Sequence, residues 1–179
     1  ATFGSFSLTS SNLEGKYDFS DIFVAKLDSS GSWQWVVKAG GSSSDGGNGI
    51  DVDSNGNVYV IGYFKKTASF GMISLTVYNE VDDYSDIFIA KLNSSGSWQW
   101  AVKAGGSVNS GNGIAVDSSG SAYFIVNFEG TSTFGITNLT SSEDSDIVIA
   151  KLSSDGIWQW VIKAGGSFDD LVSDIAVDS

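Results

Sequence analysis

The sequence predicts an all-β chain of repeated blades, each of about four antiparallel strands, and three observations carry that prediction. First, GSWQWVVKAGGS at 31–42 returns as GSWQWAVKAGGS at 96–107 and as GIWQWVIKAGGS at 156–167, and repetition at this spacing means stacked units rather than one irregular core. Second, the short runs IFVA, IFIA and VYVI are apolar at consecutive positions, the pattern of strands covered on both faces. Third, 22 Gly, no Pro and an abundance of Ser, Asn and Asp favour turns over capped helices.

Each repeat divides into two hairpins. GNGIDVD-SNG-NVYVIGYF joins two β-branched or aromatic runs through an Asn-Gly turn. SDIFIAKL-NSSG-SWQWAVKAGG is the second hairpin, and its turn recurs as DSSG, NSSG and SSDG. The distance from the aspartate of SDI to the first Trp is 12 residues in every copy (21→33, 86→98, 146→158). From the SFG/TFG phenylalanine to that aspartate it is 18, 16 and 12 (3→21, 70→86, 134→146), so this segment holds a surface loop. Four strands covered on both faces by similar sheets describe a propeller blade. The expected division is a partial blade at 1–46, blades at 47–110 and 111–170, and the first strand of a following or closing blade at 171–179. Every strand occurs three times except NVYV, which occurs twice, so the incomplete blade is expected to be completed by a longer array or by another copy.

The ordered combination AVDSSG, YV-x-GYF, TFG, SDIFVAKL, W-x-W and KAGG resembles the SBBP family, the so-called seven-bladed β-propeller repeats of bacterial secreted and surface proteins, over essentially the whole chain. The resemblance implies a propeller blade and an extracellular or cell-surface home. It implies no particular activity.

Composition narrows the chemistry. A net charge of −12 from 21 acidic residues against nine lysines repels a phosphate backbone, which excludes nucleic acid as a partner. No apolar run is long enough for a membrane span. Without His or Cys there is no ordinary catalytic triad and no zinc site, so no catalytic residue is assigned.

The remaining candidates recur with the repeat. Strand alternation places Trp33 and Trp35 on one face, with Trp98 and Trp100 and then Trp158 and Trp160 following suit, and inter-blade packing outweighs sugar stacking for them. Lys26, Lys91 and Lys151, inside apolar strands, and Lys38, Lys103 and Lys163, after the tryptophans, point to internal ion pairs or to stems lying on indole. Asp51, Asp53 and Asn55 match the front half of a calcium loop, but Gly62 stands where its bidentate Glu belongs, which favours an Asx turn over calcium. The variable loops carry Glu14, Asp18, Glu80, Asp82, Asp83, Glu143 and Asp144, an acidic rim.

The expected function is therefore a non-enzymatic structural or adhesive repeat module. It would pack with flanking repeats or other copies of itself into a surface layer or filament. The alternative is a lectin-like propeller that binds glycan through loop aromatics (Tyr17, Phe19, Tyr78 and Tyr84), with calcium as its candidate cofactor. A hydrolase built on acidic residues ranks last.

Overall fold

The computed structural model describes residues 1–11, 20–78, 85–106 and 108–178, and their regular structure is β throughout. A short hairpin, β1 (Thr2–Phe3) and β2 (Phe6–Ser7), precedes β3 (Ile22–Leu27) and β4 (Trp33–Gly41). The second blade follows as β5 (Gly46–Val52) and β6 (Val58–Phe64), the small strands β7 (Thr67–Phe70) and β8 (Ile73–Thr76), then β9 (Asp86–Leu92) and β10 (Trp98–Gly105). The third repeats the plan with β11 (Val108–Val116), β12 (Ala122–Phe128), β13 (Thr131–Phe134), β14 (Thr137–Thr140), β15 (Asp146–Leu152) and β16 (Trp158–Ala164). Among the described residues no helix is long and apolar enough to cross a membrane.

The long strands of the second blade pair antiparallel as β5-β6-β9-β10, and those of the third as β11-β12-β15-β16. Registers are identical: Val58 faces Leu92 and Phe64 faces Asp86, as Ala122 faces Leu152 and Phe128 faces Asp146. The tryptophan strand is the outer one of each blade, and among the described residues no sheet closes on itself.

Packing explains the consecutive apolar runs. Val58, Val60, Phe64, Phe88, Ala90 and Leu92 of the second blade pack with Ile22, Val24 and Ala39 of the first. The alternate residues Tyr59, Ile61, Ile87 and Ile89 pack with Phe124, Val126, Val148 and Leu152 of the third. The inner strands β6 and β9 of the middle blade thus each feed two cores, and a polar residue on either face of them would be buried.

The hairpins β7–β8 and β13–β14 account for the surplus length of the SFG/TFG segment, and they do not extend their own blade. Strand β7 pairs with the end of β4 (Gly40 with Ser69, Gly41 with Ala68), and β13 pairs in the same way with β10. Each is a latch thrown from one blade onto the outer strand of the blade before it. Gly71 and Gly135 open the two-residue turns at φ 62° and 63°, a conformation that glycine adopts without a Cβ clash. Phe70 and Phe134 close the latch by packing edge-on against Trp98 and Trp158, with ring centroids 5.2 and 6.3 Å apart.

Candidate functional site at the blade junctions

The two tryptophans of each WQW do not share a face, contrary to simple strand alternation. Opposite Trp98 stands Leu92 and opposite Trp100 stands Lys91, so Gln99 is an extra residue, a β-bulge that turns the second indole over. The same bulge occurs at Gln34 and Gln159. Trp98 therefore packs toward the first blade and donates from Nε1 to the Lys38 carbonyl at 3.4 Å. Trp100 packs toward the third blade and donates to the Ser154 carbonyl at 3.0 Å, as Trp35 does to Ser94 at 3.1 Å. One motif grips both neighbours because its middle residue is bulged.

The inner strands carry a second bulge. Gly47 pairs with Gly62 and Gly49 with Ile61, leaving Asn48 unpaired between them, and Asn112 is displaced in the same way. Each bulged amide reaches the next unit. Asn48 Nδ2 donates to the Gly111 carbonyl at 2.9 Å, and Asn112 Nδ2 donates to the Val172 carbonyl at 2.7 Å. Residues 169–178 form no strand, but they are tied along the third blade by this bond and by Asn127 Nδ2 donating to the Asp170 carbonyl. Gly-Asn-Gly was the readable signal: flanking glycines let backbones approach closely, and a Cβ on Gly49 would sit 2.9 Å from Ile61.

The recurrent lysines lie over tyrosine rather than indole. Lys91 Nζ stands 4.9 Å from the Tyr59 ring centroid and donates to the Ser154 carbonyl at 3.1 Å. Lys151 Nζ stands 4.6 Å from the Tyr123 centroid, donates to its hydroxyl at 2.6 Å and lies 3.6 Å from Asp117. The Tyr123 hydroxyl in turn donates to Asp117 at 3.1 Å. Burial pushes the Asp117 carboxyl up, but hydrogen bonds from Ser119, Ser121 and Tyr123 outweigh it and hold the pKa at about 2. The Tyr123 hydroxyl and the charge of Asp117 push Lys151 up. Lys26, in the first blade, is exposed. An aspartate–tyrosine–lysine triad that recurs at equivalent places is blade architecture, and its alternating charges contain no free nucleophile.

Tyr59 is the buried member of the set. Its hydroxyl donates to the Gly120 carbonyl at 2.9 Å in the next blade, and burial and Asp53 push its pKa up. Tyr59→Phe leaves that carbonyl without its donor. The expected cost is about 1–3 kcal/mol, measured by denaturant unfolding. An unchanged midpoint would show that this bond does not join the blades.

The second lysine series pins the latches. Lys38 Nζ donates to the Thr9 carbonyl at 2.8 Å, Lys163 Nζ to the Thr140 carbonyl at 3.2 Å, and Lys103 Nζ to the Thr76 carbonyl. Lys163 also meets Asp146 at 2.8 Å, and Lys38 lies 3.7 Å from Asp21. The Lys163 hydrogen bond is the main reason the buried Asp146 carboxyl sits below the usual range.

The expected calcium ligands go separate ways. Asp51 Oδ2 accepts the Val116 amide at 2.8 Å across the junction. Asp53 Oδ1 accepts the Asn55 and Asn57 amides at 2.9 Å within its own turn, which is an Asx turn closed by Gly56 at φ 77°. Among the described residues no three acidic groups gather to hold a metal ion. Of the loop aromatics, Tyr17, Phe19 and Tyr84 lie outside the described residues, as do Glu14, Asp18, Glu80, Asp82 and Asp83. Tyr78 is exposed but carries Lys103 Nζ 3.8 Å from its ring centroid. Glu143 and Asp144 are exposed.

No curated protein matches the chain. Residues 34–63, which run from the bulged glutamine of β4 through β5 and β6, match the SBBP family model, described as a beta-propeller repeat. The matched stretch begins on the outer strand of one blade and ends on the second strand of the next, so it spans a junction. Residues 34–63 thus match the SBBP beta-propeller repeat that the sequence resembles, in a chain whose described residues fold as all-β antiparallel blades.

Proposed function

We infer that the chain is a non-enzymatic structural module whose blades pack against further blades or copies of itself in an extracellular assembly. The observation that carries this reading is the state of equivalent side chains. Phe88 and Leu92 in the middle blade are 0 % exposed, whereas Phe23 and Leu27 at the same positions of the first blade are 57 % and 46 % exposed. Ile50 and Val52 are exposed beside them, and Trp160 and Ile162 are exposed on the third blade. Apolar faces of this kind favour association. The extracellular setting rests on the family resemblance, and the absence of His and Cys supports a non-enzymatic role.

Sedimentation velocity over a range of concentrations tests the reading. Concentration-dependent association is expected, and Phe23→Lys with Ile162→Lys is expected to weaken it. A single monomeric species at every concentration would overturn the proposal.

A further inference from the structure

The junction between the second and third blades, the two with all four strands, is open on the side of the hairpin turns. There it forms a cavity of about 340 Å³ lined by Asn57, Lys91, Gln99, Trp100, Ser154 and Asp155. We propose that this groove is a saccharide site that takes one pyranose residue of a glycan. Its size falls at the lower end of the range for small-ligand sites, roughly 300–1,000 Å³.

The polar inventory fits a polyol. Asn57 Nδ2 is committed to Asp53 Oδ2 at 2.8 Å, which leaves Oδ1 as an unused acceptor. Gln99 Nε2 donates to the Ser97 carbonyl at 3.0 Å, and its Oε1 is similarly unused. The exposed Asp155 carboxylate accepts no hydrogen bond from the described residues. Lys91 gives one bond to Ser154 and keeps two donors. Three acceptors and an ammonium around one cavity match vicinal hydroxyls, each of which donates and accepts. A metal ion would face the ammonium with a single carboxylate, and an anion would face Asp155. Trp100 is anchored by its Nε1 bond, and one side of its ring is covered by Gly156, where a Cβ would come within 2.8 Å. The indole therefore offers an apolar wall to sugar C–H groups rather than a free stacking face.

The chemistry belongs to this junction and is not a by-product of the repeat. In the first blade Gln34 Nε2 is tethered to Asp28 Oδ2 at 2.9 Å. In the second blade Asn93 takes the place of Asp28 and spends its Oδ1 on the Ser95 and Ser97 amides, so Gln99 is released from that tether. Ser95 also stands where the third blade has Asp155. The groups sit on strands and tight hairpin turns, which hold a site more precisely than the variable loops do.

Saturation-transfer NMR with a panel of free hexoses, N-acetylhexosamines and fucose at millimolar concentration tests the site. At least one sugar is expected to show transfer. The double variant Asp155→Ala/Gln99→Ala is expected to weaken that sugar by about tenfold or more while keeping the wild-type melting temperature. Silence across the panel, or undiminished binding in the folded double variant, would overturn the proposal. Sedimentation behaviour is independent of both results, so failure here leaves the assembly reading standing.

Discussion

Phe88→Ala is expected to lower the unfolding free energy by about 3–5 kcal/mol, and Phe23→Ala, at the same repeat position, by less than about 1 kcal/mol. The two residues share a motif, SDIF, and a strand register, and they differ only in what covers them. Phe88 is fully buried between the first and second blades, 4.8 Å from the Phe70 ring of the latch. Removing it opens a cavity in a core fed by two sheets. Phe23 is mostly exposed and touches Phe3 at 4.9 Å, so its loss empties nothing. Urea unfolding of the two variants measures the difference. Equal costs would mean that the junctions between blades are not where the stability of the chain resides.

Stability is expected to pass through a maximum between about pH 4 and pH 6, with Asp45 responsible for much of the loss on the alkaline side. Asp45 is fully buried and accepts the Gly41 amide at 2.7 Å and the Lys65 amide at 3.1 Å. Burial is the main influence on its carboxyl; the two amides oppose it, the nearby Asp21 charge adds to it, and the pKa settles at about 6. The folded chain therefore holds this proton more tightly than the unfolded chain does. The resulting stabilisation is complete below the ordinary value of 3.8 and is lost as pH rises through about 6, an effect of about 3 kcal/mol. Asp86, raised chiefly by burial, acts in the same direction. Asp117, Asp53 and Asp146 act oppositely: their depressed pKa values stabilise the fold above the usual carboxylate range, and that contribution disappears as pH falls through their folded values. Denaturant unfolding of the wild type and of Asp45→Asn at about pH 4.5 and about pH 8 separates the two limbs. The substitution is expected to flatten the alkaline limb by about 2–3 kcal/mol. It costs one amide bond, since an Asn side chain accepts through a single oxygen. By sequence the second repeat already has Asn109 at this place. An alkaline limb unchanged in Asp45→Asn would assign it to other carboxylates.

The parts of the fold that could be read from the residues were those that repeat. The period, the two hairpins and the coverage of IFIA and VYVI on both faces all follow from spacing and local composition. The turns were equally readable, because Asp53 and Gly56 encode an Asx turn within four residues of one another. The tryptophan faces were misjudged for a definite reason. Alternation assumes one residue per partner residue, and a bulge at Gln99 breaks that count without changing the composition. The latch formed by β7 and β8 went unrecognised because its partner, β4, lies in the previous blade, and antiparallel pairing over that distance leaves no local mark. The groove at Asn57, Gln99 and Asp155 was missed for a related reason, since its members come from three separate turns and strands.

What the residues settle alone is thus short-range: strand or turn, apolar or polar, and the beat at which units recur. Which face a side chain takes, which blade a hairpin joins and which carboxylate keeps its proton are settled only when the blades stack. Each of these depends on ladder register and burial between segments distant in the sequence, as Gly40 pairs with Ser69 and the Lys65 amide donates to Asp45. Lys26 and Lys91 show the distinction directly. They are the same residue in the same motif, yet Lys91 rests on Tyr59 and bonds to Ser154 while Lys26 is exposed, because β9 has β6 with its tyrosine paired beside it and, among the described strands, β3 has only β4.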